Sequence, residues 1–159
     1  MKKSLVAYFS ASGTTARVAK DLAQVTGSDL FEIRPQVPYT EADLDWTKKD
    51  SRSSVEMKDR ASRPPLAALP PDLSAYEVVF IGFPVWWYRE PSIVDTFMEA
   101  AAWHGQLVVP FATSGGSGIG GAADNMQKLA PQASVRAGTL FRASVSSQAL
   151  ADWGTPYLK

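Results

Sequence analysis

Three short apolar runs each give way to a turn and then to helical periodicity. That alternation is what most limits the folds open to this chain. Leu5–Phe9, Glu77–Phe83 and Leu107–Ala112 are apolar almost throughout. Runs of this kind, without a polar residue at every second position, belong to parallel strands covered by helices on both faces. The first helical segment is Thr14–Thr26, with Val18, Leu22 and Val25 on one face. The second is Pro91–Ala102, with Pro91 in its first turn and Ile93, Val94, Phe97 and Met98 facing inwards. Gly121–Leu129 is a third helix, Ser134–Leu140 a last strand and Ser146–Trp153 a short closing helix. Asp29–Arg34 alternates apolar and polar residues, as a strand near a sheet edge does, and Pro35 and Pro38 end it. The order βαβ, long connection, βαβαβα predicts a parallel, doubly wound α/β sheet.

A length of 159 residues suits one domain spanning 1–159. Its connection at about 36–75 is expected to be a long cover without a core strand. That stretch has helical content around Ala42–Trp46 and is then punctuated by Pro64, Pro65, Pro70 and Pro71. No apolar run is long enough to span a membrane, and no secretory cleavage pattern follows Met1-Lys2-Lys3, so a cytoplasmic protein is expected. Lys+Arg and Asp+Glu balance at 16 each, which argues against nucleic acid as a partner. With no cysteine and one histidine, thiol catalysis, iron–sulfur clusters and polyhistidine metal sites are excluded. Redox chemistry must then come from a bound organic cofactor. No side chain stands out as a catalytic acid or base; His104 reads as a surface-turn histidine, and Trp46, Trp103 and Trp153 as packing residues.

In a doubly wound sheet, ligands sit beyond the carboxyl ends of the strands. Three strand ends carry unusual residues. The first is Ser10-Ala11-Ser12-Gly13-Thr14-Thr15, where hydroxyls and a glycine lead straight into a helix. Free N–H groups at a helix start, together with the helix dipole, make a phosphate cradle, here one without a lysine. The second is Pro84-Val85-Trp86-Trp87-Tyr88-Arg89-Glu90-Pro91. Three successive aromatics cannot all enter one core, so at least one faces solvent or a flat aromatic ligand. The third is Thr113-Ser114-Gly115-Gly116-Ser117-Gly118-Ile119-Gly120-Gly121, whose glycines let backbone N–H groups approach a ligand. Gly116, Gly118 and Gly121 also match G-x-G-x-x-G. They follow the fourth strand rather than the first, and no acid lies about 20 residues on, which argues against a dinucleotide fingerprint. A Walker A loop is excluded, because no Gly-Lys-Ser/Thr occurs.

Together these three segments resemble the flavodoxin family, in the branch with a Pro-x-Trp-Trp loop. The match runs through Tyr8–Thr15, Ile81–Trp87 and Pro110–Gly118, with Pro38-Tyr39 and Arg63-Pro64 between them. The resemblance implies a flavodoxin-like three-layer sandwich with a five-stranded parallel sheet in the order 2-1-3-4-5, and one non-covalent FMN. It assigns the FMN phosphate to Ser10, Ser12, Gly13, Thr14 and Thr15. The isoalloxazine falls between Pro84, Val85, Trp86, Trp87 and Tyr88 on one side and Thr113, Ser114, Gly115, Gly116, Ser117 and Gly118 on the other. Trp86 or Trp87 is then the stacking partner.

Two roles follow from the resemblance. One is an electron-transfer carrier serving a redox partner protein or small electron acceptor; the other is an FMN-dependent reductase of the NAD(P)H:quinone type. A binding module that has lost its flavin is a third class. Carriers in this family are typically acidic, whereas this chain is neutral. Pro84–Pro91 also has no glycine to ease a peptide flip beside the flavin, which weakens the case for a strongly stabilised one-electron-reduced state. Against a reductase, no nicotinamide-binding motif is present. Tyr88 and Arg89 are candidates to hydrogen-bond a flavin oxygen or an acceptor; a solvated pair with Glu90 is the other reading of Arg89. The expectation is a carrier.

Overall fold

The computed structural model describes residues 1–114 and 118–159. Its elements run β1 (Ser4–Tyr8), α1 (Thr14–Thr26), β2 (Asp29–Glu32), α2 (Arg52–Lys58), β3 (Val78–Pro84) and α3 (Ser92–Ala100). They continue through β4 (Leu107–Thr113), α4 (Ala122–Leu129), β5 (Ser134–Val135), β6 (Thr139–Phe141) and α5 (Ser147–Gly154), closed by a 3-10 turn at Thr155–Leu158. The sheet is parallel in the order β2-β1-β3-β4-β5, and β6 also pairs with β4. This is the predicted doubly wound order of a flavodoxin-like fold.

Strand alternation divides the core between the two faces of the sheet. Leu5, Ala7, Phe9, Val79, Ile81 and Phe83 face α3 and α4, where they meet Ile93, Phe97 and Met126. Val6, Tyr8, Phe80 and Phe111 face the other way, onto Val18 and Leu22 of α1 and Leu150 of α5. Trp153 completes that second layer, with Phe80, Phe111, Phe141 and Tyr157 around it. Trp103 is also buried and donates its indole N–H to the Met98 carbonyl at 2.8 Å. Trp46 departs from its predicted packing role: it is 74% exposed.

Two predicted elements take a different form. The helical content lies not at Ala42–Trp46 but at α2, which Ser51 caps by accepting from the Ser54 N–H. Around 40–47 the short polar side chains bond the nearby backbone instead. Thr40 and Asp43 each accept from the other's N–H, and Asp45 accepts from the Thr47 N–H. Such local bonds favour turns over helix. The predicted strand Ser134–Leu140 is split into β5 and β6. Two β4 residues, Val109 and Pro110, lie opposite three, Arg136–Gly138. Leu107 donates its N–H towards β3 and Val108 accepts from Arg136, so Pro110 faces the β5–β6 side as well. Having no N–H, Pro110 cannot bond there, and the neighbouring strand is interrupted beside it. Among the described residues no helix is long and apolar enough to cross a membrane.

Candidate functional site

The carboxyl ends of β1, β3 and β4 lie side by side, as their pairing requires, and the three unusual loops leave from them. Gly13 stands at the N-cap of α1 with a left-handed φ of 95°, which glycine adopts without a Cβ penalty. Ser10 braces the turn: its Oγ accepts from the N–H groups of Gly13 and Ala16, both at 3.1 Å. Thr14 and Thr15 open the helix, so their own N–H groups have no carbonyl one turn back to meet. Thr15 is buried, and its hydroxyl is 2.7 Å from that of Thr113, which ties the first loop to the third. Ser12 is exposed and Thr14 half-buried, and neither hydroxyl has a hydrogen-bond partner among the described residues.

Ser12, Thr14, Pro84, Thr113 and Ser114 line one cavity of about 450 Å³. Arg142, Ala143 and Ser144 complete it. These last residues follow β6 and were missed from the sequence. The signal that could have found them is the rule applied to the other loops: the last strand also ends at this edge, at Phe141, and Arg142-Ala143-Ser144 follow it. The cradle has no lysine, yet its cavity has a cation in Arg142. Gly118 is exposed; Gly115, Gly116 and Ser117 lie outside the described residues.

The middle loop is a tight hairpin turn. Trp86 and Arg89 exchange backbone hydrogen bonds at 3.0 and 3.2 Å. Between them Trp87 and Tyr88 both take left-handed backbone, at φ 49° and 64°. Two positive φ values in succession mark a type I′ turn, a conformation that bulky residues rarely occupy. The three aromatics diverge. Trp86 is half-buried and meets Phe9 and Tyr39 edge-on, with centroids 5.6 and 5.4 Å away. Trp87 and Tyr88 are 44% and 67% exposed. The third loop comes up against this turn at Gly120, where a Cβ would lie 2.0 Å from the Tyr88 carbonyl oxygen.

Beneath the turn is a buried charged cluster. Arg89 is neither solvated nor aimed at the cavity; it is 5% exposed. Its guanidinium donates to Asp95 Oδ2 at 3.3 Å, to the Glu90 carbonyl at 3.1 Å and to the Met57 carbonyl at 3.3 Å. The turn is thereby joined to α3 and to the end of α2. Asn125 of α4 donates to Glu90 Oε2 at 2.6 Å and to Asp95 Oδ1 at 3.3 Å, while Glu90 Oε1 has no hydrogen-bond partner among the described residues. Burial, and then the facing Glu90 carboxyl, push Asp95 up to about 9. His104 is on the surface, where its N–H donates to Gln106 Oε1.

The model of the family described as Flavodoxin matches residues 3–156. The chain belongs to the flavodoxin family. No curated protein matches this flavodoxin. Among solved structures, a provisionally assigned flavoprotein from Bacteroides eggerthii DSM 20697 is similar at 48% identity and a TM-score of 0.90, with 96% of each chain covered. One from Bacteroides uniformis ATCC 8492 is 45% identical with a TM-score of 0.90, covering 96% of this chain and 97% of that one. A flavoprotein from Lactobacillus acidophilus NCFM, solved in complex with FMN, shares the fold at 21% identity and a TM-score of 0.70, covering 96% and 99%.

Proposed function

We propose that this flavodoxin binds one FMN and serves as an electron-transfer carrier. The observation that carries the reading is the pair of hydroxyls, Ser12 and Thr14, that have no hydrogen-bond partner among the described residues at the cavity beside the open first turn of α1. A phosphate there would meet the hydroxyls, the N–H groups of Thr14 and Thr15 and the positive end of the helix. Arg142 adds a charge to the same cavity. Ser10 has a different part from the other hydroxyls: it holds the turn in shape. The isoalloxazine is assigned to the space between the Pro84–Tyr88 and Thr113–Gly118 loops, with Trp87 its more accessible indole. FMN, when bound, would take up and release the electrons, while the chain sets its orientation and exposure. The FMN complex of the Lactobacillus acidophilus protein, which has the same fold, agrees with this reading.

Ser12→Ala and Thr14→Ala should each weaken FMN binding more than riboflavin binding, as followed by quenching of flavin fluorescence. Equal losses for the two ligands would sink the phosphate assignment. The reductase is a second reading, favoured by the charge balance of 16 against 16, which provides no net field for steering to a basic protein. Anaerobic reduction separates the two. Stepwise dithionite reduction with accumulation of a coloured one-electron form supports the carrier; rapid bleaching by NADH or NADPH alone supports the reductase. A cytoplasmic location belongs to the same proposal.

A further inference from the structure

The edge of the sheet opposite the three loops has a cavity of its own, with a volume of about 460 Å³. Leu107, the first residue of β4, and Ala137, in the bulge between β5 and β6, lie in its walls. Lys2, Arg136, Tyr157 and Lys159 line it as well. None of these residues lines the cavity that holds Ser12 and Thr14.

Three observations describe what would fit. First, every polar side chain lining the cavity can donate a hydrogen bond: one guanidinium, two ammonium groups and one phenol. No carboxyl lines it, although the chain holds 16 acids against 16 bases. Second, these donors are unused. Lys2, Arg136 and Lys159 enter no ion pair, and the Tyr157 hydroxyl has no hydrogen-bond partner among the described residues. The adjoining depression shares Lys2 and contains Glu77, yet those two form no ion pair either. Arg17, Arg52, Arg63 and Arg89, by contrast, each meet a carboxylate. Third, the backbone and ring that carry the donors are held. The Lys2 N–H donates to the Leu158 carbonyl at 3.0 Å, and the Arg136 N–H to the Val108 carbonyl at 2.9 Å. The Tyr157 ring packs on Phe80 and Trp153, with centroids 6.2 and 5.7 Å away. Beside Arg136, the Ala137 N–H has no hydrogen-bond partner among the described residues. Like charges gathered without a counter-ion repel one another, and an anion among them reverses the sign of that interaction. A phosphate group presents oxygens in several directions to separately placed donors, where a flat carboxylate presents one fork.

We propose that this cavity is a second anion site, which takes a free, multiply charged phosphate compound on Lys2, Arg136, Lys159 and the Tyr157 hydroxyl. It lies across the sheet from the cradle at α1 and does not depend on the FMN reading. Its donors come from the segment before β1, from the bulge and from the end of the chain at the closing 3-10 turn. A bound anion would join these three segments and stabilise the fold.

Isothermal titration of the protein as isolated with pyrophosphate, in a phosphate-free buffer of low ionic strength, tests it. A saturable site is expected, weakened at least tenfold in Arg136→Gln and several-fold in Lys2→Gln and Tyr157→Phe. All three variants should fold, since two change exposed side chains and the third keeps the packed ring. Pyrophosphate should raise the melting temperature of the parent and leave that of Arg136→Gln unchanged. Arg60→Gln removes the same charge from an exposed arginine outside the cavity and should bind as the parent does. Non-saturable binding, or equal losses in Arg60→Gln and Arg136→Gln, overturns the proposal, because binding would then follow net charge alone. Loss of binding in Thr14→Ala but not in Arg136→Gln overturns it too, since the anion would then sit in the α1 cradle. So does capture by phosphatidate vesicles without uptake of pyrophosphate, which would make this edge a membrane contact.

Discussion

The turns that leave β1 and β3 carry the chain from a buried strand to a helix at the same edge of the sheet, and they hold their shapes by opposite means. After β1, the one left-handed residue is a glycine, the hydroxyls are small, and Ser10 supplies the bracing. After β3, the left-handed residues are a tryptophan and a tyrosine, and the bracing is a buried guanidinium with two carboxyls and an amide around it. The first turn is shaped by its own residues. The second is shaped by what is packed beneath it, for Trp87 and Tyr88 would relax elsewhere in φ/ψ space if Arg89 and Glu90 were not fixed to α2, α3 and α4. A strained conformation persists where its surroundings over-determine it.

The largest effect expected from breaking this contrast is in the cluster. Arg89→Met removes the buried guanidinium from the Asp95 and Glu90 cluster, leaving Asp95 only Arg63 at 4.0 Å, and should cost about 3 kcal/mol, seen as a lower urea midpoint. A midpoint unchanged from the parent would mean that the turn needs no such support. Next comes pH. Asp95 has its proton held well above the ordinary value of 3.8, to about 9 in the folded chain. Between those values the folded protein keeps a proton that the unfolded chain has released. Stability therefore falls as pH rises through that window. Thermal melts at pH 5 and pH 8 should show it, and Asp95→Asn should flatten the difference. The smallest effects have opposite signs in the two turns. Gly13→Ala meets no steric neighbour, so its cost of about 1–2 kcal/mol is backbone strain alone. Tyr88→Gly relieves strain of the same kind, but the greater freedom of glycine in the unfolded chain offsets part of the gain, so a change of at most about 1 kcal/mol towards stability is expected. Paired denaturant titrations would expose a turn that does not follow this pattern.

The same contrast explains what could be read from the residues. The succession of strands and helices, the hydroxyl turn and the three unusual loops follow from local patterns: apolar runs, glycines, and hydroxyls before a helix; the strand order is what the family resemblance implies. Thr14–Thr26 is α1 residue for residue, because Gly13 and Gly27 punctuate both ends. The type I′ turn could not be read, since its usual signal is Asn-Gly or Gly-Gly and Trp87-Tyr88 is its opposite. Nor could the burial of Arg89, which depends on carbonyl and carboxyl groups from α2 and α3 that meet only once the chain is folded. Trp46 departs from the packing expectation for a related reason. Hydrophobicity argues for burial, and only the fold reveals that the connection leaves this indole outside. Arg142 lies beyond the three loops, just after a strand whose interruption beside Pro110 no periodicity records.

That interruption has a consequence for how the molecule meets others of its kind. A sheet edge invites pairing by another extended chain when it presents a long, regular row of free backbone groups. One edge here is β2, four residues whose ends are the charged Asp29 and Glu32. The other is β5 and β6, two residues and then three, with a bulge between them. A foreign strand arriving at either edge would find its register broken within a few residues. By interrupting the ladder at its outer rim, a proline in the middle of β4 guards the molecule against edge-to-edge aggregation.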